Sequence, residues 1–265
     1  MFQVAPRHGR GLLMLAAAVA IAVSACSGGT ATPSAGPTAT ASTDTSTPQA
    51  ATASPTLSTG PGLAGAVAAM GNMTSYQYTM TLAGGTFDDM YSAVGGSPSA
   101  NAAYPVKGTV VQEPATSEDV TIGDLHIVET GGSDYIDMGK TGSFTKTDVQ
   151  GAGLTDQWTP ASIYAGFNPS PSGYDMIGSE TKNGVQTDHY QATKSALAEL
   201  GSIAGVDNAI WTADIWLDST GGYPVAVSVT AKAADNSVAY EIVFNLTKIN
   251  DPSNKVTAPA NVTGA

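Results

Sequence analysis

The chain has one cysteine among 265 residues, Cys26. No disulfide can form within it, and no Cys/His cluster with metal-ligand spacing exists. Charge is sparse, at 12% of residues, and basic charge is sparser, with 10 Lys and Arg against 22 Asp and Glu. Arg7 and Arg10 are the only arginines, and both precede Cys26. Beyond the cysteine, eight lysines stand against 22 acids, a charge of −14. That balance excludes the basic stripe that nucleic acid requires. It also excludes charge-driven adhesion to anionic headgroups, and the plain role of such acidity is solubility. G-x-S-x-G, P-loop and dinucleotide fingerprints are all missing. Long apolar runs are missing too. Leu12 to Val23 is continuous, but its 12 residues make a helix of only about 18 Å against a hydrocarbon core of about 30 Å.

Such a run behind two arginines reads as the h-region of a secretory signal. Ser24 and Ala25 then lead into Cys26. Val23-Ser24-Ala25-Cys26 resembles the lipobox of bacterial lipoproteins. The resemblance implies a diacylglycerol on the Cys26 sulfur, cleavage before the cysteine, and acylation of the new amine by chains such as palmitate. The alternative is an ordinary signal peptide with an incidental cysteine. Two acyl chains suffice for stable anchoring, so the expected location is the extracytoplasmic face of the cell membrane. We therefore read 1–25 as signal peptide and 26–62 as lipidated cysteine plus linker. In Ser27 to Gly62 every residue except Asp44, Gln49 and Leu57 is Ser, Thr, Pro, Ala or Gly, so no core can form there. As a flexible coil it reaches roughly 30–35 Å, and extended on the order of 100 Å.

Residues 63–265 are enough for one domain with a sizeable core. Leu63, Val67, Ala68 and Met70 have helical spacing. Tyr76, Tyr78, Met80 and Leu82 alternate with polar residues, the mark of a strand with one wet face. Segments 106–113, 118–130, 133–138 and 143–148 read as short strands punctuated by glycine. Segments 155–167 and 194–205 read as short helices, the first with turns around Pro160. Residues 174–193 form a hairpin through Asn183-Gly184. Trp211, Ala213, Ile215 and Leu217 share a face. So do Val225, Val227 and Val229, and again Tyr240, Ile242, Phe244 and Leu246. About ten strands and two or three helices predict a mainly β, α+β domain whose large sheet must have its inner face covered.

This order of elements, with "GSETKNGVQTDHY" (178–190) and "ADIWLDSTGGYPVAVSV" (213–229), resembles the LolA/LppX group of envelope lipoproteins, which includes LppX- and LprG-type members. The resemblance covers most of 63–265. It implies a curved half-barrel of about ten antiparallel strands wrapped on a few short helices, with an apolar cavity for lipid or glycolipid. Tyr76, Tyr78, Met80, Trp211, Ile215, Leu217, Val225, Val227, Ile242 and Phe244 should point inward. They either line that cavity or pack as ordinary core.

Catalysis finds no support. Lys140-Thr141-Gly142 and Ser143-Phe144-Thr145-Lys146 match two boxes of penicillin-binding enzymes. Their order is reversed, and i and i+3 of a strand face opposite ways. His126 and Glu129 diverge for the same reason, and His189 reads as a paired or exposed strand histidine. Asp88-Asp89, Glu118-Asp119 and Asp134/Asp137 read as solvated acids near turns, so no metal and no cofactor is expected. The expectation is a monomeric, non-enzymatic lipoprotein that binds or carries a hydrophobic ligand. The alternative is an interaction lipoprotein with a filled core.

Overall fold

The computed structural model describes residues 62–93, 96–99, 102–147, 155–167, 169–206 and 208–263. The segments read as signal peptide and linker, with Cys26 between them, lie outside the described residues up to Pro61. Helix α1 (Gly62–Gly71) leads into β1 (Ser75–Ala83), α2 (Gly85–Ala93) and β2 (Ala103–Val111). Then come β3 (Ser117–Ile122), β4 (Leu125–Thr130), β5 (Ser133–Met138) and the short β6 (Thr145–Thr147). A 3₁₀ turn (Asp156–Trp158) precedes α3 (Pro160–Phe167), and the hairpin β7 (Tyr174–Lys182) and β8 (Val185–Ala192) follows. Helix α4 (Lys194–Ala204) connects to β9 (Ile210–Asp218), β10 (Pro224–Lys232) and β11 (Val238–Thr247).

All eleven strands form one sheet in the order β6-β5-β4-β3-β2-β1-β11-β10-β9-β8-β7. Each neighbouring pair is antiparallel, and β1 pairs with β11. The sheet is curved and does not close, because β6 and β7 remain its two edges. Alternation in sequence becomes alternation in burial: along β9, Ala213, Ile215 and Leu217 are buried while Thr212 is exposed. Segment 118–130 is two strands, because Gly123 takes a left-handed φ of 55° and turns the chain between β3 and β4.

Helix α2 is the element that the sequence did not announce. Phe87 fixes it to the sheet at 3% exposure, and the Tyr104 hydroxyl donates to Asp88 Oδ1. Local chemistry explains the other helix ends. Pro160 opens α3, where a missing N–H costs nothing. Thr193 caps α4 by accepting from the Ala196 amide, and left-handed Gly205 ends it.

Asn183 and Gly184 both have positive φ, 51° and 81°, the type I′ geometry of a two-residue hairpin. The Asn183 amide also donates to Asn245 Oδ1 and the Leu246 carbonyl, each at 3.3 Å. Asn183→Ala therefore loses both bonds and places a less tolerant residue in the left-handed region. Chemical denaturation should show a loss of about 1–2 kcal/mol.

Candidate functional site: an apolar cavity between sheet and helices

Helices α2, α3 and α4 cover one end of the inner face and leave a cavity of about 430 Å³ beneath them. Its floor is Trp211, Val229, Tyr240 and Ile242 from β9, β10 and β11. Register explains the grouping. Ala231 stands opposite both Trp211 and Tyr240, and Val229 opposite Ala213 and Ile242, so two adjacent cross-strand rows form the floor. Phe87 and Met90 of α2 form one wall, and Ile163 and Phe167 of α3 a second. Leu200 and Ala204 of α4 close the third side. These wall pairs recur at i,i+3 or i,i+4, the spacing that puts two side chains on one helix face.

Aromatic contacts set the shape. Tyr240 lies 5.6 Å from the Phe87 ring and 5.5 Å from Trp211, centroid to centroid. Burial raises the Tyr240 phenol above its ordinary range, so it stays neutral. Two glycines matter here. A side chain at Gly201 of α4 would press on Trp211 Nε1 at 3.2 Å, so glycine there lets helix and indole approach closely. A Cβ on Gly166 of α3, at the exposed margin of the cavity lining, would meet nothing within 4 Å. Polar groups are few: Thr86, Gln157 and Ser162 reach the lining. Such a site desolvates an apolar molecule and offers a few hydrogen bonds at its margin.

Of the ten residues singled out from sequence, Trp211 and Ile242 line this cavity. Tyr76, Tyr78, Met80, Ile215, Leu217, Val227 and Phe244 are buried in the hydrophobic core. Val225 is fully buried at the irregularity between Pro224 and Ala226, where the alternation of β10 breaks. Nine of the ten are buried and Trp211 is half-buried; the two that line the cavity lie in the rows of its floor. The cavity residues that sequence reasoning missed are Tyr240 and Val229 of the floor and the apolar faces of α2, α3 and α4. The i,i+3 pair Phe87 and Met90 was the available signal for α2.

Other residues weighed from sequence have structural partners. His189 stacks on Trp216 at 4.4 Å on the outer face. Its Nε2 lies 3.0 Å from Asp214 Oδ1 and its Nδ1 3.2 Å from Glu180 Oε1. Lys182 covers the Trp216 ring at 3.9 Å, so the cluster fastens the β7–β8 hairpin to β9. His126 pairs with Asp119 at 2.8 Å, and Glu129 accepts from the Thr155 hydroxyl at 2.9 Å. The Ser143 hydroxyl lies 3.3 Å from that of Thr263. Glu118, Asp134 and Asp137 are a correction: read as solvated, they are 4%, 3% and 2% exposed. Asp137 accepts from the Thr141 and Gly142 amides and the Thr141 hydroxyl, which tie down the turn after β5. Those bonds hold its carboxyl below the ordinary range, overcoming the opposing effect of burial. Among the described residues no group of three His, Cys, Asp or Glu side chains is placed to hold a metal ion.

No protein-family model matches the chain, and no curated protein matches it. Similar solved structures include LprF from Mycobacterium bovis, 10% identical, covering 75% of this chain and 95% of that one, with a TM-score of 0.44. Lipoprotein LppX from Mycobacterium tuberculosis is 14% identical, covering 71% of this chain and 93% of that one, with a TM-score of 0.41. MucB is 16% identical, covering 75% of this chain and 61% of that one, with a TM-score of 0.35. The unclosed antiparallel sheet with its short helices has the half-barrel form that the sequence resemblance implies.

Proposed function

We propose that this chain is a membrane-anchored envelope lipoprotein that binds or carries one hydrophobic ligand, a lipid or glycolipid acyl chain, in the cavity beneath α2, α3 and α4. The observation that carries the reading is the cavity itself. Its volume of about 430 Å³ lies in the range of small-molecule sites, which runs from about 300 to 1,000 Å³. Its lining is apolar and aromatic with a sparse polar margin. Binding would come from desolvation, each buried CH₂ contributing about 0.8 kcal/mol. No residue here needs to perform chemistry. Cys26 is acted upon, and Cys26 with its Ser/Thr/Pro linker would hold the domain at the extracytoplasmic face of the cell membrane.

Tryptophan fluorescence tests this directly. Trp211 lines the cavity, Trp158 is fully buried in the core and Trp216 stands on the outer face. Adding a long-chain fatty acid should blue-shift the emission, and Trp211→Phe should abolish that shift. A spectrum unmoved by fatty acid, lysolipid and envelope lipid extract would favour an interaction lipoprotein instead.

A further inference from the structure

A second feature lies on the inner face away from the cavity floor. Register sets Glu118 of β3 opposite Glu129 of β4, and Glu129 opposite Asp134 of β5. Opposed residues on adjacent antiparallel strands share a face, with Cα atoms about 4.5–5.5 Å apart. Three carboxylates thus form one cross-strand row, where like charges destabilise. Val110 of β2 and Thr147 of β6 end the row. Glu118 and Asp134 are buried, and Glu118 Oε2, Asp134 Oδ2 and Thr147 Oγ1 have no hydrogen-bond partner.

Among the described residues the ion pairs of His126, Lys140 and His189 bring no positive charge to the row. Thr155, over the row, donates its hydroxyl to Glu129, and the exposed Asp156 follows it in the chain. Tyr76 and Tyr78 of β1 face Glu118, and burial first, then the Glu118 charge, keeps both phenols neutral. Lys146 of β6 pairs with Tyr135, one residue out of step with Asp134 and Thr147, and so belongs to the other face. His126 pairs with Asp119, also on the outer face. Among the described residues, none of these ion pairs includes Glu118, Glu129 or Asp134. Their oxygens also do not form a group that could hold a metal ion, so protons are the available counter-charge. Burial, then the charges of Asp156 and Glu129, push the Glu118 carboxyl up to about 7, with the Thr155 hydroxyl pulling the other way. Burial, Glu129 and Asp156 raise Asp134 likewise.

The row is joined to the cavity by very little chain. Thr155 touches Glu129, and Gln157 reaches the cavity lining. The Trp158 carbonyl accepts from the Tyr78 hydroxyl at 3.1 Å. Thr159 Oγ1 accepts from the Ser162 amide at 3.3 Å and caps the start of α3. We propose that Glu118, Glu129 and Asp134 form a shared-proton latch. With a proton on the row, the Thr155–Trp158 turn stays seated on β3 to β5. As pH rises and the proton leaves, repulsion lifts the turn and loosens the α3 wall of the cavity. The effect on ligand rests on the function proposed above, whereas the effect on the ligand-free protein does not.

A raised carboxyl means that the folded state binds more protons than the unfolded one. Stability is therefore full below the ordinary carboxyl range, falls as pH rises from about 4.5 to about 7, and levels off above. The test is thermal unfolding of the full chain from pH 5 to pH 8, with Glu118→Gln alongside and Asp134→Asn should the first fail to fold. Wild type should lose several degrees of Tm across that range. The variant should show a flatter profile and the higher Tm at pH 8. Comparing the two removes the contribution of His126 and His189, which both proteins retain. Identical slopes, or a wild-type profile that is flat, would overturn the latch. So would a Tm at pH 8 restored by millimolar calcium, which would make the row a cation site.

A dansyl-labelled fatty acid provides the second readout. Its affinity should fall several-fold between pH 5.5 and pH 8 in wild type and stay constant in Glu118→Gln. A probe that never binds would count against the cavity reading and leave the Tm profile to judge the latch. A probe that binds equally at both pH values would overturn the coupling, whatever the Tm profile shows.

Discussion

Gly166→Phe abolishes binding of an apolar probe while leaving the fold intact. Gly166 sits in α3 with no positive φ, so any residue can adopt its backbone. A Cβ placed there meets no atom within 4 Å, and Gly166 is one of the residues that line the cavity, at its exposed margin. A phenyl ring fills the space that a ligand chain would use, at a site where glycine is itself unfavourable by about 1 kcal/mol in a helix. Titration with the dansyl-labelled fatty acid should show at least a tenfold loss of affinity, equivalent to about 1.4 kcal/mol, with Tm unchanged or higher. Gly166→Ala is the control: it should keep the affinity and gain up to about 1 kcal/mol of stability. Undiminished binding in the Phe variant would mean that the ligand uses another surface.

Trp158→Ala has the largest expected effect on stability. Trp158 is the largest fully buried side chain among the described residues, at 0% exposure, and it precedes α3 in the chain. Truncation of a buried tryptophan costs about 3–5 kcal/mol through lost transfer energy and the hole left behind. Trp158→Phe should be much milder. It keeps most of the ring volume and removes an indole N–H that has no acceptor, and satisfying or deleting such a group recovers part of the loss. Urea unfolding of both variants measures this contrast. Equal costs would place the energy in something other than packed volume.

Strands β9 and β11 were legible because each keeps period two over seven residues. Trp211 to Leu217 and Tyr240 to Leu246 could be assigned a face without any tertiary information, and their burial follows that assignment. Asn183-Gly184 set the hairpin for the same local reason: few residues accept two successive positive φ values. Face was readable, but position along the strand was not. Whether a buried side chain meets another side chain or open space depends on which helix covers it, and helix placement is non-local. Phe244 and Ile242 look alike in sequence; Phe244 is packed in the core, and Ile242 is roofed by the cavity.

The acidic row was misread for a related reason. Glu118 and Asp134 look like surface acids beside glycine turns. Register alone sets them on one line with Glu129, and the curl of the sheet with the Thr155–Trp158 turn buries them. Helix α2 was passed over because its nine residues hold two aspartates and are flanked by glycine. Phe87, with Met90 and Tyr91 packed beside it, carries its attachment to the core.

The most direct measurement is the native mass of the full chain carrying Cys26→Ser, secreted and purified without detergent, followed by solvent extraction. Removing the thiol keeps anchor acyl groups from being mistaken for cavity ligand. A stoichiometric lipid that is released on extraction, and that is missing from Gly166→Phe prepared in parallel, is the expected result. A bare polypeptide mass that envelope lipids do not change would contradict it and leave an interaction lipoprotein with a filled core.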